Sequence, residues 1–328
     1  EVIASIITEQ EYNVNDNSGA YSDYYKQTVS LIEKYNSYNK KFTIRLSDDS
    51  NENALAPAYV NLDGINLAKK YNSDVINCDQ SQMRKLLNIG TAKITEEEMS
   101  GVKHHLIDFL EPISEYSIRD FQDDARNLID NLDNIPFIVG GSGLYIDAVI
   151  TDYDLTNQKR DTDLEEEFKK LSNEELYDKL YNLNQEAALK THPNNRKRVL
   201  RYLEIVLEKG ELVNKPNKPY YDALVIFLNK DRETLYDNIN KRCEIMFDGG
   251  WIDEVKSLKQ LGYDINLIKE IGYKEISDYL DGLLSYDEMI DKIKQETRRY
   301  AKRQITWFKK NKETCWIDRR KRFKRILE

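Results

Sequence analysis

The stretch Ile138-Val139-Gly140-Gly141-Ser142-Gly143-Leu144-Tyr145 decides the fold: an apolar run ends in glycines around a serine and then turns helical. A second run, Asp74-Val75-Ile76-Asn77-Cys78, delivers Asp79 at its carboxyl end in the same manner. Short apolar strands of this kind, separated by helical stretches, predict an α/β protein with a parallel sheet. Parallel sheets place ligands beyond the carboxyl ends of their strands, so Asp79 and Ser142 are expected on one rim.

Working outward, Leu67-Ala68-Lys69-Lys70-Tyr71 ends a helix before the first of these strands. Ile89-Gly90-Thr91-Ala92-Lys93 and Gly101-Val102-Lys103-His104-His105-Leu106-Ile107-Asp108 lie between the two. Residues 154–191 are strongly charged and helix-prone, with Leu171, Leu176, Leu180, Leu183, Ala187 and Leu189 as apolar points, and predict a helical insertion. Residues 67–153 and 192–328 are then one core interrupted by it. The second part opens on an amphipathic helix at 196–208, continues with a core strand at 224–228, and is helical from Arg232 onward, including 235–246. Residues 1–66 have a different character. Residues 2–7 and 42–46 are strand-like, 21–35 carries apolar residues at roughly helical spacing, and Asn/Asp/Ser-rich loops lie between.

A chain of 328 residues, 40% of them apolar, can bury a real core. Its net charge of −9 is unevenly spread, because residues 294–328 hold 14 Lys/Arg against 4 Asp/Glu. A solvated helix face and phosphate binding both account for such a tail. Cys78, Cys243 and Cys315 are odd in number and widely spaced, which predicts reduced structural thiols. Adjacent His104 and His105 without a third ligand nearby predict packing rather than zinc. With no long apolar run and no basic leader, the expectation is a cytoplasmic monomer without membrane contact.

Seven blocks together carry a resemblance. They are Asp79-Gln80-Ser81-Gln82, Ile89 to Lys93, Gly101 to Asp108, Tyr116-Ser117-Ile118-Arg119-Asp120-Phe121, Gly140 to Tyr145, Ile271-Gly272-Tyr273-Lys274-Glu275 and Arg303-Gln304-Ile305-Thr306-Trp307. In this order, across residues 67–318, the chain resembles the bacterial tRNA dimethylallyltransferases. The resemblance implies a P-loop NTPase-like, nucleotide-binding core and a helical insertion that grips the anticodon arm of tRNA. It also implies Mg²⁺ and transfer of a dimethylallyl group from dimethylallyl pyrophosphate to N6 of adenosine 37, in tRNAs reading codons that begin with U.

Carried over by position, Asp79 corresponds to the base that accepts the adenosine amine proton. An adenine amine is a poor nucleophile, and a carboxylate that takes its proton as the C–N bond forms is useful there. From position alone, Asp79 reads rather as an N-cap for a following helix, and it is the surrounding match that favours the base. Gln80, Ser81 and Gln82 correspond to tRNA contacts on the same loop, although Gln80, Ser81 and Arg84 depart from the family's usual residues. Ser142 stands where the family has threonine. Arg242 corresponds to an arginine directed at the pyrophosphate. Lys197, Arg198, Val199, Leu200 and Arg201, and Lys269, Gly272, Tyr273 and Lys274, correspond to further tRNA-binding positions, with the basic helix 298–304 beside them. Trp307 and Trp316 are expected as core or cap residues.

One element of the family is missing. Its first strand ends in Gly-x-x-x-x-Gly-Lys-Ser/Thr, whose backbone N–H groups cradle pyrophosphate and whose hydroxyl binds Mg²⁺. Here Ala56-Pro57-Ala58-Tyr59-Val60-Asn61-Leu62-Asp63-Gly64-Ile65-Asn66 stands before Leu67, and residues 1–66 contain no such motif. Either residues 59–62 or a segment upstream takes the lost strand's place, or an edge is left open. A tRNA-binding family member with impaired catalysis is therefore the alternative to an active transferase.

Overall fold

Val75, Ile76 and Asn77 form β2 (Val75–Asn77), all three buried, as expected for a strand covered on both faces. The structure is a computed structural model that describes residues 2–3, 59–153, 155, 167–209, 218–311 and 314–318. The helical and strand-like runs read at 21–35 and 42–46 lie outside these residues.

In unit 1 (residues 1–153 and 219–328) β2 is flanked in parallel by β3 (His104–His105) and β4 (Phe137–Val139). Val75 pairs with Phe137 and Asn77 with Val139, which brings the carboxyl ends of β2 and β4 level. Helix α1 (Tyr59–Lys70) leads into β2, α2 (Glu96–Met99) and α3 (Ile118–Asn131) connect the strands, and α4 (Gly143–Ile150) follows β4. Residues 59–62 are helical and not a substitute strand. The parallel partner of β5 (Ala223–Leu224) is instead β1 (Val2–Ile3). β5 runs on through Val225 into β6 (Ile226–Asn229), which pairs in parallel with β7 (Cys315–Asp318). The core joins Val75, Ile76, Phe121, Phe137, Ile138, Ile146 and Val149, all essentially inaccessible. Ser117 starts α3 with a reciprocal capping box to Asp120.

The carboxyl-terminal helices of unit 1 are α8 (Arg232–Asp248), α9 (Trp251–Gln260), α10 (Tyr273–Leu280) and α11 (Tyr286–Phe308). They share a second apolar cluster built on Trp251, Val255, Tyr273, Ile276, Met289 and Ile293. Its spacing of three and four residues is that of helices with one buried face. Among the described residues no helix is long and apolar enough to cross a membrane.

Unit 2 spans Asp154–Lys218 and contains α5 (Asn173–Leu183), α6 (Gln185–Leu189) and α7 (Arg196–Lys209). The sequence assigned residues 192–218 to the core, but α7 belongs here. Val199, Leu203 and Val206, one stripe of α7, are buried with Leu176 and Leu180 of α5 and Ala187 and Ala188 of α6. Burying each large side chain contributes roughly 1.5–3 kcal/mol, and that stripe is spent inside the unit. Arg196 pins the start of α7 by donating to the carbonyls of Phe168 (2.6 Å) and Leu171 (2.7 Å).

Candidate active site at the carboxyl rim of the sheet

Asp79 emerges two residues past β2 and does not cap a helix: turns follow it, and its Oδ1 accepts the Ser81 N–H at 2.9 Å. Asn77, itself buried, fixes this exit. Its Oδ1 accepts the Asp79 N–H (3.0 Å) while its Nδ2 donates to the carbonyls of Asp79 (3.1 Å) and Leu106 (2.8 Å). Burial pushes the Asp79 carboxyl above its ordinary range, against the opposing pull of the Ser81 N–H and of the Arg242 charge. A carboxylate made more basic by its surroundings suits a proton acceptor.

Ser142 sits beside it on the same rim, its N–H reaching the carbonyl of Cys78 (3.3 Å). It precedes α4, yet its hydroxyl makes no capping hydrogen bond. The glycine before the turn is required: Gly140 has φ +149°, and a Cβ there would lie 2.3 Å from the carbonyl carbon of Cys78. Gln304 of α11 closes the turn from outside, donating to the Gly141 carbonyl at 3.0 Å, and the Trp307 indole donates to Asp147 at 2.7 Å. Trp316 packs on Phe227 with ring centres 4.2 Å apart. Both tryptophans are therefore structural, as expected.

Arg242 projects from α8, half-buried, and is close enough to Asp79 to act on its ionisation. One turn earlier on that helix, Asn238 is 1% exposed and neither polar atom of its side chain has a hydrogen-bond partner. Lys294 and Arg298 of α11 act with Arg242 on the buried Cys243 thiol, while Lys294 pairs with Glu244 (2.7 Å) and Arg298 donates to Asn240 (2.7 Å).

The loop after Asp79 is held by bonds that local sequence did not show. Gln82, expected to reach a bound tRNA, instead turns inward: it is 6% exposed and its Nε2 donates to the Ala92 carbonyl (3.1 Å). Arg84 is buried and paired with Glu270 (3.0 Å), and its Nη1 donates to the carbonyls of Pro112 (2.9 Å) and Ser114 (3.0 Å). Lys93 donates to Asp108, to the Arg84 carbonyl and to Asn88 Oδ1, and burial lowers its pKa. Glu254 of α9 accepts the N–H groups of Asn88 (2.8 Å), Ile89 (2.7 Å) and Gly90 (3.1 Å). Their partners lie 165 residues away in the case of Glu254 and Ile89, so no window of sequence could show them.

The remaining positions divide. Gln80 and Ser81 are half-buried beside Asp79. Lys269 and Lys274 are exposed, Lys274 paired with Asp278 at 3.0 Å. Gly272 and Tyr273 are not surface contacts: Tyr273 is wholly buried with its hydroxyl on Glu254 (2.7 Å), and a Cβ on Gly272 would meet the Trp251 ring at 2.1 Å. In unit 2, Lys197 and Arg198 are exposed and Arg201 half-exposed, bonded to Glu204 (2.9 Å). Val199 is buried and Leu200 packs against the same cluster, so these two support the helix. His105 pairs with Asp74 (2.7 Å) and His104 Nδ1 meets the Val102 carbonyl (2.9 Å). Among the described residues no group of three His, Cys, Asp or Glu could hold a metal, and residues 1–66 lack the Lys-Ser/Thr pair. Among the described residues the Mg²⁺ implied by the resemblance finds no fitting ligand set, and no step of the chemistry is assigned to it.

The family model for IPP transferase matches residues 82–311. The tRNA dimethylallyltransferase of Alkaliphilus oremlandii is 43% identical over 266 residues, 77% of this chain and 85% of that protein. The chain belongs to the tRNA dimethylallyltransferase family. The Bacillus subtilis tRNA dimethylallyltransferase is 42% identical over 271 residues, again 77% of this chain and 85% of the relative. The solved tRNA isopentenylpyrophosphate transferase of Bacillus halodurans superposes with a TM-score of 0.61 at 39% identity, over 85% of this chain and 90% of that one. A eukaryotic dimethylallyltransferase solved acting on tRNA gives 0.73 at 25% identity, over 85% of this chain and 74% of that one. Within this prenyltransferase family, the P-loop-like α/β core with parallel strands is the shared fold.

Proposed function

We propose that this chain transfers a dimethylallyl group from dimethylallyl pyrophosphate to N6 of adenosine 37 in tRNAs reading codons that begin with U, and that its donor binding is weakened. The observation that carries the reading is Asp79: a carboxylate on the sheet rim, made more basic by burial and electrostatically coupled to Arg242. As the N6–carbon bond forms, the carbon–oxygen bond to pyrophosphate breaks and its electron pair leaves with pyrophosphate. Asp79 takes the N6 proton, Arg242 stabilises the departing charge, and the Ser142 hydroxyl meets the adenosine. A base extruded from its stack can reach such a rim. Lys197, Arg198 and Arg201 of unit 2, with Lys269 and Lys274, contact tRNA phosphates.

The second reading is a tRNA-binding member without turnover, and the sequence of residues 1–66 favours it by carrying no Gly-x-x-x-x-Gly-Lys-Ser/Thr motif. Calorimetric titration of the donor and incorporation of labelled prenyl into tRNA separate the two. Asp79→Ala is expected to lower turnover by roughly 10²–10⁴ with tRNA affinity nearly unchanged. Near-normal incorporation by that variant removes Asp79 as base. Binding of tRNA with neither donor binding nor incorporation by the unmodified chain establishes the second reading.

A further inference from the structure

The acceptor loop, residues 79–93, is made of turns and one bridge, from Arg84 to Leu110, and holds Leu86 and Ala92 at φ +63° and +52°. Such a loop does not specify its own shape, because bulky residues rarely occupy left-handed backbone without support. The support comes from α9. Glu254 Oε2 accepts the N–H groups of Asn88 and Ile89, and Oε1 accepts those of Gly90 and the Tyr273 hydroxyl, at 2.7–3.1 Å. Three successive backbone N–H groups converging on one carboxylate form an anion nest, filled here by the protein's own side chain. The Trp251 ring closes its back: a Cβ on Gly90 would stand 2.1 Å from Trp251 Nε1.

We propose that Glu254 is a positioning residue of the acceptor site, which sets the geometry of the Asp79 turn from outside it. The connection runs through two bonds. The Ala92 carbonyl accepts Gln82 Nε2 at 3.1 Å, and Lys93 Nζ donates to the Arg84 carbonyl at 2.5 Å, so the nest at 88–90 fixes the segment that fixes 82–84. That segment is continuous with the turn in which Ser81 donates to Asp79. Holding a reacting group within a fraction of an ångström is worth large factors in rate, and a carboxylate with four donors is a rigid anchor. Glu254 touches no reacting atom; it acts through the loop. The proposal rests on the acceptor reading of Asp79 and adds the residue that makes that reading sterically definite.

The test uses Glu254→Gln in the full chain, which keeps the side chain's volume but turns an NH₂ toward backbone donors. In the free protein, hydrogen exchange is expected to be about ten-fold or more faster at amides 88–90 and also at 81–84, with β2 and β4 unchanged. Loosening confined to 88–90, or none, overturns the coupling. The second measurement uses an anticodon stem-loop with 2-aminopurine in place of the acceptor adenosine, whose fluorescence rises when the base leaves its stack. Glu254→Gln is expected to bind the stem-loop within a few-fold of the unmodified chain yet lose most of the rise. An equal loss of affinity and signal, or an undiminished rise, overturns the positioning role. Glu254→Asp, which keeps the charge but withdraws it by one methylene, is expected to show the same split at smaller amplitude, and Tyr273→Phe to leave the rise intact. Exchange needs no RNA, so a chain that fails to bind the stem-loop sinks the tRNA reading while exchange still decides the role of Glu254.

Discussion

Asp79 shows how one residue's environment sets chemistry and stability in opposite directions. Its carboxyl is raised first by burial, so the folded state disfavours the charged form relative to the unfolded chain. The stability is therefore fully present below the unfolded carboxylate pKa, about 4, and is lost as pH rises through the higher folded value. Asp79→Asn removes the titration while its Oδ1 still accepts the Ser81 N–H. The variant is expected to melt higher than the unmodified chain at pH 7, with the two curves converging below about pH 4. A thermal melt series from pH 3.5 to 7.5 checks this, and a constant offset across it would show that burial is not the cause. Activity follows the opposite sense, rising with pH as the base ionises.

At the scale of elements, the site is a strand rim braced by helices from the far end of the chain. Gly90 shows the bracing: its missing Cβ admits the Trp251 indole and the Tyr273 hydroxyl, the latter 2.6 Å from where that Cβ would stand. Gly90→Ala is expected to cost about 1–3 kcal/mol, as overpacking of a filled contact does, measurable by urea unfolding. A cost below about 0.5 kcal/mol would mean that the loop moves aside freely. This bracing also explains what the sequence concealed. The strand ends at Asp79 and Gly140, the helix bearing Arg242 and the insertion were legible because their signals are local: apolar runs, glycines and a helical period. Glu254 and Glu270 were not, because a carboxylate gains its meaning here from a loop far away in the chain. The same cause hid β7, whose four residues carry no periodicity and pair with Ile226–Asn229. The place of α7 in unit 2 was invisible too, since an apolar stripe does not state which surface covers it.

For the whole molecule, the charge is uneven: a net −9 overall against a basic carboxyl-terminal stretch. In unit 2, Lys197→Glu with Arg201→Glu is expected to weaken tRNA binding and to flatten its dependence on salt, because fewer counterions are released per complex. An unchanged salt slope in a filter-binding series would remove these two from the interface. The donor side makes the sharper demand. Pyrophosphate needs several converging donors, each worth roughly 1.5–3 kcal/mol as a charged hydrogen bond, and a single half-buried Arg242 does not equal a ring of backbone N–H groups. The chain as it stands is therefore expected to bind dimethylallyl pyrophosphate far more weakly than its relatives and to prenylate tRNA slowly or not at all. Placing a family strand with its Gly-x-x-x-x-Gly-Lys-Thr loop before Leu67, in exchange for the Val2–Ile3 strand that pairs with β5, should restore transfer, since Asp79, Ser142 and Arg242 stand in one unit. Calorimetry of the donor and prenyl incorporation for both proteins decide it: tight binding with rapid turnover by the unmodified chain would show that residues 1–66 build a phosphate site of another design.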